Sequence, residues 1–393
     1  MLATMPDTPA PLPTARQLLE RGDLDAAITA QLTAINDGVR RLGQAQAADL
    51  HLFGVILFAR QDFAGAAQTF AQVRRLDPGW PAIDLNLAKS LVLCGQAATA
   101  VPLLERALQV QAEDIGALEA LAHAQGLLGQ REAAQAAGEQ ALRLKDRQSQ
   151  PVPGLASRWP AGRPLPAVGR GQPQAVLSFS LFGAQPRYLL GALENVQAAA
   201  RFYPGWVCRF HVDDSVPPDT LAALRQAGAE LRSLPRPVRR TDALFWRFLV
   251  ADDPQVGRFV VRDADSVVNA REAAAVQAWL GSERPFHVMR DHPAHTDLML
   301  AGLWGGVAGW LPPLATLLDG FSYQPGAGAR SADQRFLGER VWPLVRAHCL
   351  QHDSVFRVLG AQDFPAGSRL PGGRHVGDNA HAHRPASGAV AGQ

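Results

Sequence analysis

RFVVRDADSVV, residues 258–268, decides how the second half of this chain is read. Phe259, Val260 and Val261 form a short apolar run of the kind that ends a buried strand. The run stops on Asp263-Ala264-Asp265, two carboxylates separated by one small residue. A strand leaving the C-terminal edge of an α/β sheet delivers its next residues to a ligand crevice. Two carboxylates there can hold a hard divalent cation, and the cation can grip a diphosphate. Taken alone, the pair reads first as acids that cap a strand end and the next turn.

The neighbourhood supports a sheet. Strands are expected at 175–181, 206–212, 230–234, 258–261 and 286–289. Helices are expected around 188–202, 218–227, 243–251 and 270–280. This βαβ alternation argues for a largely parallel sheet with covered faces. One reading of the acid pair is a phosphatase of the haloacid dehalogenase type, with Asp263 as nucleophile. That chemistry needs a downstream lysine to hold phosphate. The chain has only two lysines, Lys89 and Lys145, so the second half has none. The motif also lies some ninety residues into its domain. A second reading places the pair after a Rossmann-like half-domain that binds a nucleotide.

The stretches SFSLFGAQPRYLLGALENV, YPGWVCRFHVDDSVP, FWRFLVADD, FVVRDADSVVNAREAAAVQAWL, FHVMRDHPAH and LWGG resemble bacterial GT-A-like (DxD) glycosyltransferases across residues 174–360. Ala264 departs from that pattern, standing where a larger apolar residue is expected. The resemblance implies an α/β GT-A-like fold and transfer of a sugar from a nucleotide-diphosphate donor to a hydroxyl acceptor. It also implies Mn²⁺ or Mg²⁺ on Asp263 and Asp265, and a role in surface polysaccharide or glycoconjugate synthesis. A GT-A-like binding module without activity is the alternative.

Arginine suits phosphate through its planar donor fork. Arg187, Arg247 and Arg262 are therefore candidate donor ligands, Arg262 foremost because it adjoins the pair. Ser180, on the first strand, and Trp304, in the Gly302–Gly306 loop, are placed on the donor side, with a core role for Trp304 as the bland option. Asp291, His292 and His295 follow a strand and line an acceptor side, with Asp291 a candidate catalytic carboxylate; His-x-x-His can also bind metal. The resemblance makes Asp333-Gln334 the acidic pair beside the transferred sugar, Asp333 catalytic and Gln334 on the donor; a helix N-terminal charge is the other option. It also implies a third metal ligand, from His352-Asp353 or His375. Asp213 and Asp214 either touch the ribose or base or form a turn.

The first half is Ala/Leu/Gln-rich with helical periodicity. Ala66, Ala100 and Ala134 recur every 34 residues, as do Gln61, Gly95 and Gly129, Gly54, Ala88 and Ala122, and Val73, Ala107 and Ala141. Small residues at close-approach positions plus a recurring turn mark a helix-turn-helix solenoid. The segment resembles tetratricopeptide repeats, with an irregular earlier unit at 18–32. Such repeats imply a groove for a protein partner or acceptor.

The expected organisation is a disordered 1–13, an all-α repeat domain at 14–146, a Pro/Gly linker at 147–172, the α/β domain at 173–378, and a disordered tail at 379–393 that holds His381 and His383. A net charge of +2 gives no bulk reason to expect nucleic acid as a partner. No apolar run reaches the length of a membrane span. Cys94, Cys208 and Cys349 lack zinc-type spacing and read as free thiols. With no signal-peptide pattern at the N-terminus, the expected compartment is cytoplasmic, with peripheral attachment to the inner membrane as an option.

Overall fold

A computed structural model of the chain describes residues 13–156, 165–166, 173–237, 239–323 and 331–379. The expected disorder at 1–12 and 380–393, including His381 and His383, and most of the 147–172 linker lie outside the described residues. Two compact units meet in sequence between Leu128 and Gly129.

The first unit is all-α: α1 (Ala15–Arg21), α2 (Leu24–Leu42), α3 (Ala47–Ala59), α4 (Phe63–Leu76), α5 (Ile83–Leu93), α6 (Ala97–Val110) and α7 (Ile115–Leu127). Local chemistry starts the helices. Thr14 and Gln17 form a reciprocal capping box, and Asp23, Asp62 and Asp114 accept amides of their first turns. The turn phase read from sequence is real in the backbone. Gln61, Gly95 and Gly129 carry φ of 70°, 83° and 73°. Glutamine tolerates this left-handed conformation less well than glycine does. The recurring small residues sit where helices touch: Ala66, Ala88, Ala100 and Ala122 have no exposed surface. A Cβ on Gly54 would lie 2.6 Å from the Phe70 ring, so only glycine lets α3 and α4 approach this closely.

The second unit begins with α8 (Arg131–Gln148), although its composition continues that of the repeats. The boundary thus falls earlier than the composition change after Asp146. The reason is packing. A Cβ on Gly138 would lie 2.0 Å from the Phe356 ring. Lys145 donates to the Thr296 carbonyl at 3.0 Å and pairs with Asp297. Asp146 accepts the Trp342 indole N–H at 2.6 Å, and Ser149 donates to the Gly338 carbonyl at 2.7 Å. Gly138→Ala is therefore expected to cost about 1–3 kcal/mol by overpacking, despite alanine's better helix propensity. Urea unfolding followed by tryptophan fluorescence reads this directly.

The sheet follows: β1 (Gln174–Leu181), α9 (Pro186–Phe202), β2 (Val207–Val212), α10 (Pro218–Gln226), β3 (Glu230–Ser233), a 3₁₀ helix (Arg240–Asp252), β4 (Val256–Arg262), α11 (Ala270–Leu280), β5 (Phe286–Arg290) and β6 (Leu303–Val307). Then come α12 (Leu314–Leu318), α13 (Ala332–Phe336), a π turn, α14 (Trp342–Val345) and β7 (Cys349–Asp353). The order is β3-β2-β1-β4-β6-β5-β7. β1, β2, β3 and β4 run parallel, β5 is parallel to β7, and β6 is antiparallel to both β4 and β5. Six of the seven described strands thus run the same way and β6 alone is reversed, so the sheet is largely parallel with one antiparallel strand.

The chain winds outward from β1 to β3, then returns to place β4 on the other side of β1. That reversal makes a crevice between the C-terminal ends of β1 and β4. Two sequence expectations change. Leu303–Val307 is a buried strand, not a ligand loop, and 240–252 is 3₁₀ rather than α-helical.

Candidate functional site

Asp263-Ala264-Asp265 leaves β4 at that crevice, and the fold fixes its backbone from two sides. On α9, a Cβ at Gly191 would lie 2.3 Å from the Ala264 carbonyl oxygen. One turn on, Asn195 is fully buried; it donates to the Ala264 and Ser266 carbonyls and accepts the Val268 amide at 3.0 Å. From the other side, a Cβ on Gly302 would lie 2.0 Å from Asp263 Oδ2. Both glycines are present because the acidic loop occupies the space a side chain would need.

Arg247 is the centre of the polar network. It projects from the 3₁₀ helix and is 4% exposed. Ser178 Oγ donates to its carbonyl at 2.8 Å, and Ser180 Oγ accepts its amide at 3.0 Å. Its guanidinium pairs with Asp263 Oδ1 and, at 2.5 Å, with Asp333 Oδ2. Burial would lower the Arg247 pKa, but Asp263 and Asp333 raise it, so the charge is permanent. Burial would raise Asp263, but Arg247, with Arg262 behind it, holds its carboxyl below the usual range. Asp333 is raised, first by burial and then by Asp263, against the pull of Arg247.

Asp265 has weaker support. Asn379 donates to its Oδ2 at 2.9 Å, and Arg187 Nε stands 3.7 Å away. Burial, then the neighbouring Asp263 charge, push its pKa up to about 6. This raised value has a definite sign. The metal-free fold is favoured by the protonated acid, most fully below the unfolded carboxylate pKa, and loses that contribution as pH rises through about 6. A cation needs the carboxylate, so its affinity must rise over the same interval. Stabilisation by Mn²⁺ in thermal unfolding is expected to be weak at about pH 5 and full at about pH 7.5.

A cation suits this donor set. Asp263 already pairs with Arg247, whereas Asp265, with its raised pKa and no guanidinium hydrogen bond, is the carboxylate whose charge a hard cation would complete. Mg²⁺-type sites use one or two carboxylates plus substrate phosphates. No group of three His, Cys, Asp or Glu side chains placed to hold a metal ion occurs among the described residues.

Several candidates have other duties. Arg262 is fully buried; it pairs with Glu272 at 2.9 Å and donates to the Gly302 carbonyl and Ser266 Oγ. It is a core ion pair and not a diphosphate ligand. Trp304 is 1% exposed and packs edge-on against Phe248 and Phe259, so it is a core ring, out of reach of a sugar. Asp291 accepts four hydrogen bonds, two from Arg271, one from Ser354 and one from the Val376 amide. A carboxylate this saturated fastens the C-terminal segment and has no lone pair left for a catalytic proton. His352 and Asp353 lie in β7 with no exposed surface; they bond to His287 and Arg290 and are no metal ligands.

Ser180 holds the Arg247 backbone. Gln334 follows Asp333, and its amide donates to the Asp333 carboxylate at 2.9 Å. Asp213 makes the turn, accepting the Ser215 amide, and exposed Asp214 pairs with Arg236. His292, His295 and His375 cluster, with His292 and His375 ring centroids 4.3 Å apart. The Nδ1 atoms of His292 and His295 accept the amides of Ala294 and Asp291. Those Nδ1 lone pairs are therefore already taken by backbone amides.

Sequence reasoning missed four participants. Asn379 pairs with Ser266 in a β-bridge, inside the stretch read as a tail. Tyr188 takes a hydrogen bond from Arg187 at 2.7 Å, and its pKa is raised by burial and by Asp265. Phe182 and Trp246 meet edge to face, 6.1 Å between centroids, on residues adjoining Leu181 and Arg247. An aromatic beside a strand end was the available signal.

No protein-family model matches the chain, and no curated protein matches it. Among solved structures, the chain is similar to an O-GlcNAc transferase variant from Thermobaculum terrenum, with TM-score 0.38 and 19% identity over 56% of this chain. That alignment spans 40% of the transferase chain. It is also similar to MamA from Desulfovibrio magneticus RS-1, with TM-score 0.30 and 22% identity, covering 33% of this chain and 71% of that one. YrrB, described as a TPR protein with an unusual peptide-binding site, matches with TM-score 0.29 and 18% identity, covering 33% and 64%. The all-α first unit and the α/β second unit are read from the chain's own backbone.

Proposed function

We propose that the second unit is a GT-A-like glycosyltransferase domain that moves a sugar from a nucleotide-diphosphate donor to a hydroxyl acceptor. One observation carries this reading: an Asp-x-Asp pair emerges from β4 at the crevice where strand order reverses, with Arg247 and Asp333 assembled behind it. Asp263 and Asp265 would hold Mn²⁺ or Mg²⁺. When bound, the cation supplies charge neutralisation to the departing diphosphate.

The chain's own residues do the rest. Arg187, a third exposed, pairs its planar fork with phosphate oxygens at the rim. Phe182 and Trp246 offer apolar surface at the β1 end for a base or ribose. Asp333, almost fully buried, is a positioning residue that orients Arg247; it does not itself touch the sugar. The repeats supply a groove for a protein partner or acceptor. Among the described residues no helix is long and apolar enough to cross a membrane.

One feature favours the alternative of a binding module: Asp263 is already neutralised by Arg247. A screen of nucleotide-sugar hydrolysis with Mn²⁺ separates the two. A transferase slowly releases nucleoside diphosphate from one donor, and Asp265→Ala lowers that rate by at least about 100-fold. A binding module takes up the nucleotide and releases nothing.

A further inference from the structure

We propose that Arg247 is a built-in competitor for the cation: its guanidinium occupies Asp263 in the cation-free site and yields it when cation and diphosphate enter together. This rests on reading Asp263 and Asp265 as the cation site. The guanidinium contacts Asp263 Oδ1 directly, so a cation on that oxygen and the guanidinium are mutually exclusive neighbours of like charge. The arginine backbone cannot retreat, because Ser178 and Ser180 hold its carbonyl and amide. The side chain can. Its second anchor, Asp333, keeps one amino group fixed at 2.5 Å while the other turns away from Asp263. Its Nε is buried with no hydrogen-bond partner, so the donor fork is incompletely satisfied where it stands.

Asp265 differs. The nearest guanidinium in contact with it, that of Arg187, stops at 3.7 Å, outside hydrogen-bond reach. Asp265 takes a neutral hydrogen bond from Asn379 and none from a guanidinium, so a cation meets less competing positive charge there than at Asp263, which Arg247 holds in reserve. A diphosphate resolves the conflict, since its oxygens accept from a guanidinium and ligate a cation simultaneously. Cation and diphosphate must then bind with positive coupling, and the coupling is reciprocal.

The test is titration of the full chain with Mn²⁺ alone, by calorimetry, for wild type, Arg247→Met and Arg247→Lys. A charge-assisted hydrogen bond removed from a competitor corresponds to about tenfold tighter Mn²⁺ binding in Arg247→Met. Arg247→Lys, which keeps the charge but lacks the fork, is expected between the two. Inorganic diphosphate is expected to raise Mn²⁺ retention more in wild type than in Arg247→Met, by the same factor. Should Arg247→Met fail to fold by circular dichroism, tighter Mn²⁺ binding in Arg247→Lys than in wild type carries the proposal. Equal or weaker Mn²⁺ binding in the folded variants overturns it while leaving the cation site standing. Absence of Mn²⁺ binding in all three proteins, with and without diphosphate, removes the cation site itself and the proposal with it.

Discussion

Glu272→Ala is expected to destabilise the second unit by about 3–5 kcal/mol, the cost of leaving a buried charge without its partner. Glu272 and Arg262 have no side-chain exposure, and they pair at 2.9 Å. Tyr203, also buried, donates to the other Glu272 oxygen at 3.1 Å. Burial raises the Glu272 pKa, and Arg262 and Tyr203 pull against that rise. With alanine at 272, Arg262 keeps its bonds to the Gly302 carbonyl and Ser266 but loses its counter-charge. The paired replacement Arg262→Met with Glu272→Leu is expected to recover only part of the loss, since it removes the unpaired charge but leaves the Gly302 carbonyl, Ser266 Oγ and the Tyr203 hydroxyl without these partners. Urea unfolding of the two variants and wild type measures this. A loss under 1 kcal/mol in Glu272→Ala would mean that water reaches Arg262.

Gly191→Ala is expected to damage the site through the backbone. The added Cβ would stand 2.3 Å from the Ala264 carbonyl oxygen and 2.9 Å from Asp265 Cα. Neither atom belongs to a flexible side chain, so α9 or the Asp-x-Asp loop must move. Alanine's helix propensity returns about 1 kcal/mol, and the overpacking costs about 1–3 kcal/mol or more. The larger consequence is loss of Mn²⁺ affinity as Asp265 is displaced. Gly338→Ala is the matched control, because a Cβ there meets nothing within 4 Å. Thermal unfolding with and without Mn²⁺ compares them. Equal Mn²⁺ response in both variants would show that the loop tolerates displacement.

Much of this architecture is legible in the sequence because it is local. The 34-residue phase of small residues and turns follows from helix geometry, and the left-handed backbone at Gln61, Gly95 and Gly129 bears it out. β1 is a largely apolar run that stops before Phe182-Gly183, and β4 is an apolar run that stops on Arg262-Asp263. β6 is not legible, since Trp304-Gly305-Gly306 has little strand propensity. Its glycines answer to neighbours instead: a Cβ at Gly305 would lie 2.6 Å from the Phe259 carbonyl oxygen.

The site divides the same way. Asp263 and Asp265 declare themselves as a strand-end pair. Arg262 and Arg247 look equivalent as text, and only tertiary partners separate them: Glu272 for the first, Asp263 and Asp333 for the second. Asp291 looked catalytic because it follows a strand; its saturation by Arg271, Ser354 and Val376 depends on residues up to 85 positions away.

The role proposed for Asp263 and Asp265 is to join a nucleoside diphosphate to a divalent cation. Its most direct test is binding of a panel of nucleoside diphosphates to wild type and to the Asp263→Asn/Asp265→Asn double variant, with Mn²⁺ and with chelator. Saturable binding of one nucleotide that requires Mn²⁺ and disappears in the double variant is the expected result. Binding indifferent to Mn²⁺ and to both substitutions, or no binding by the wild type, would contradict it.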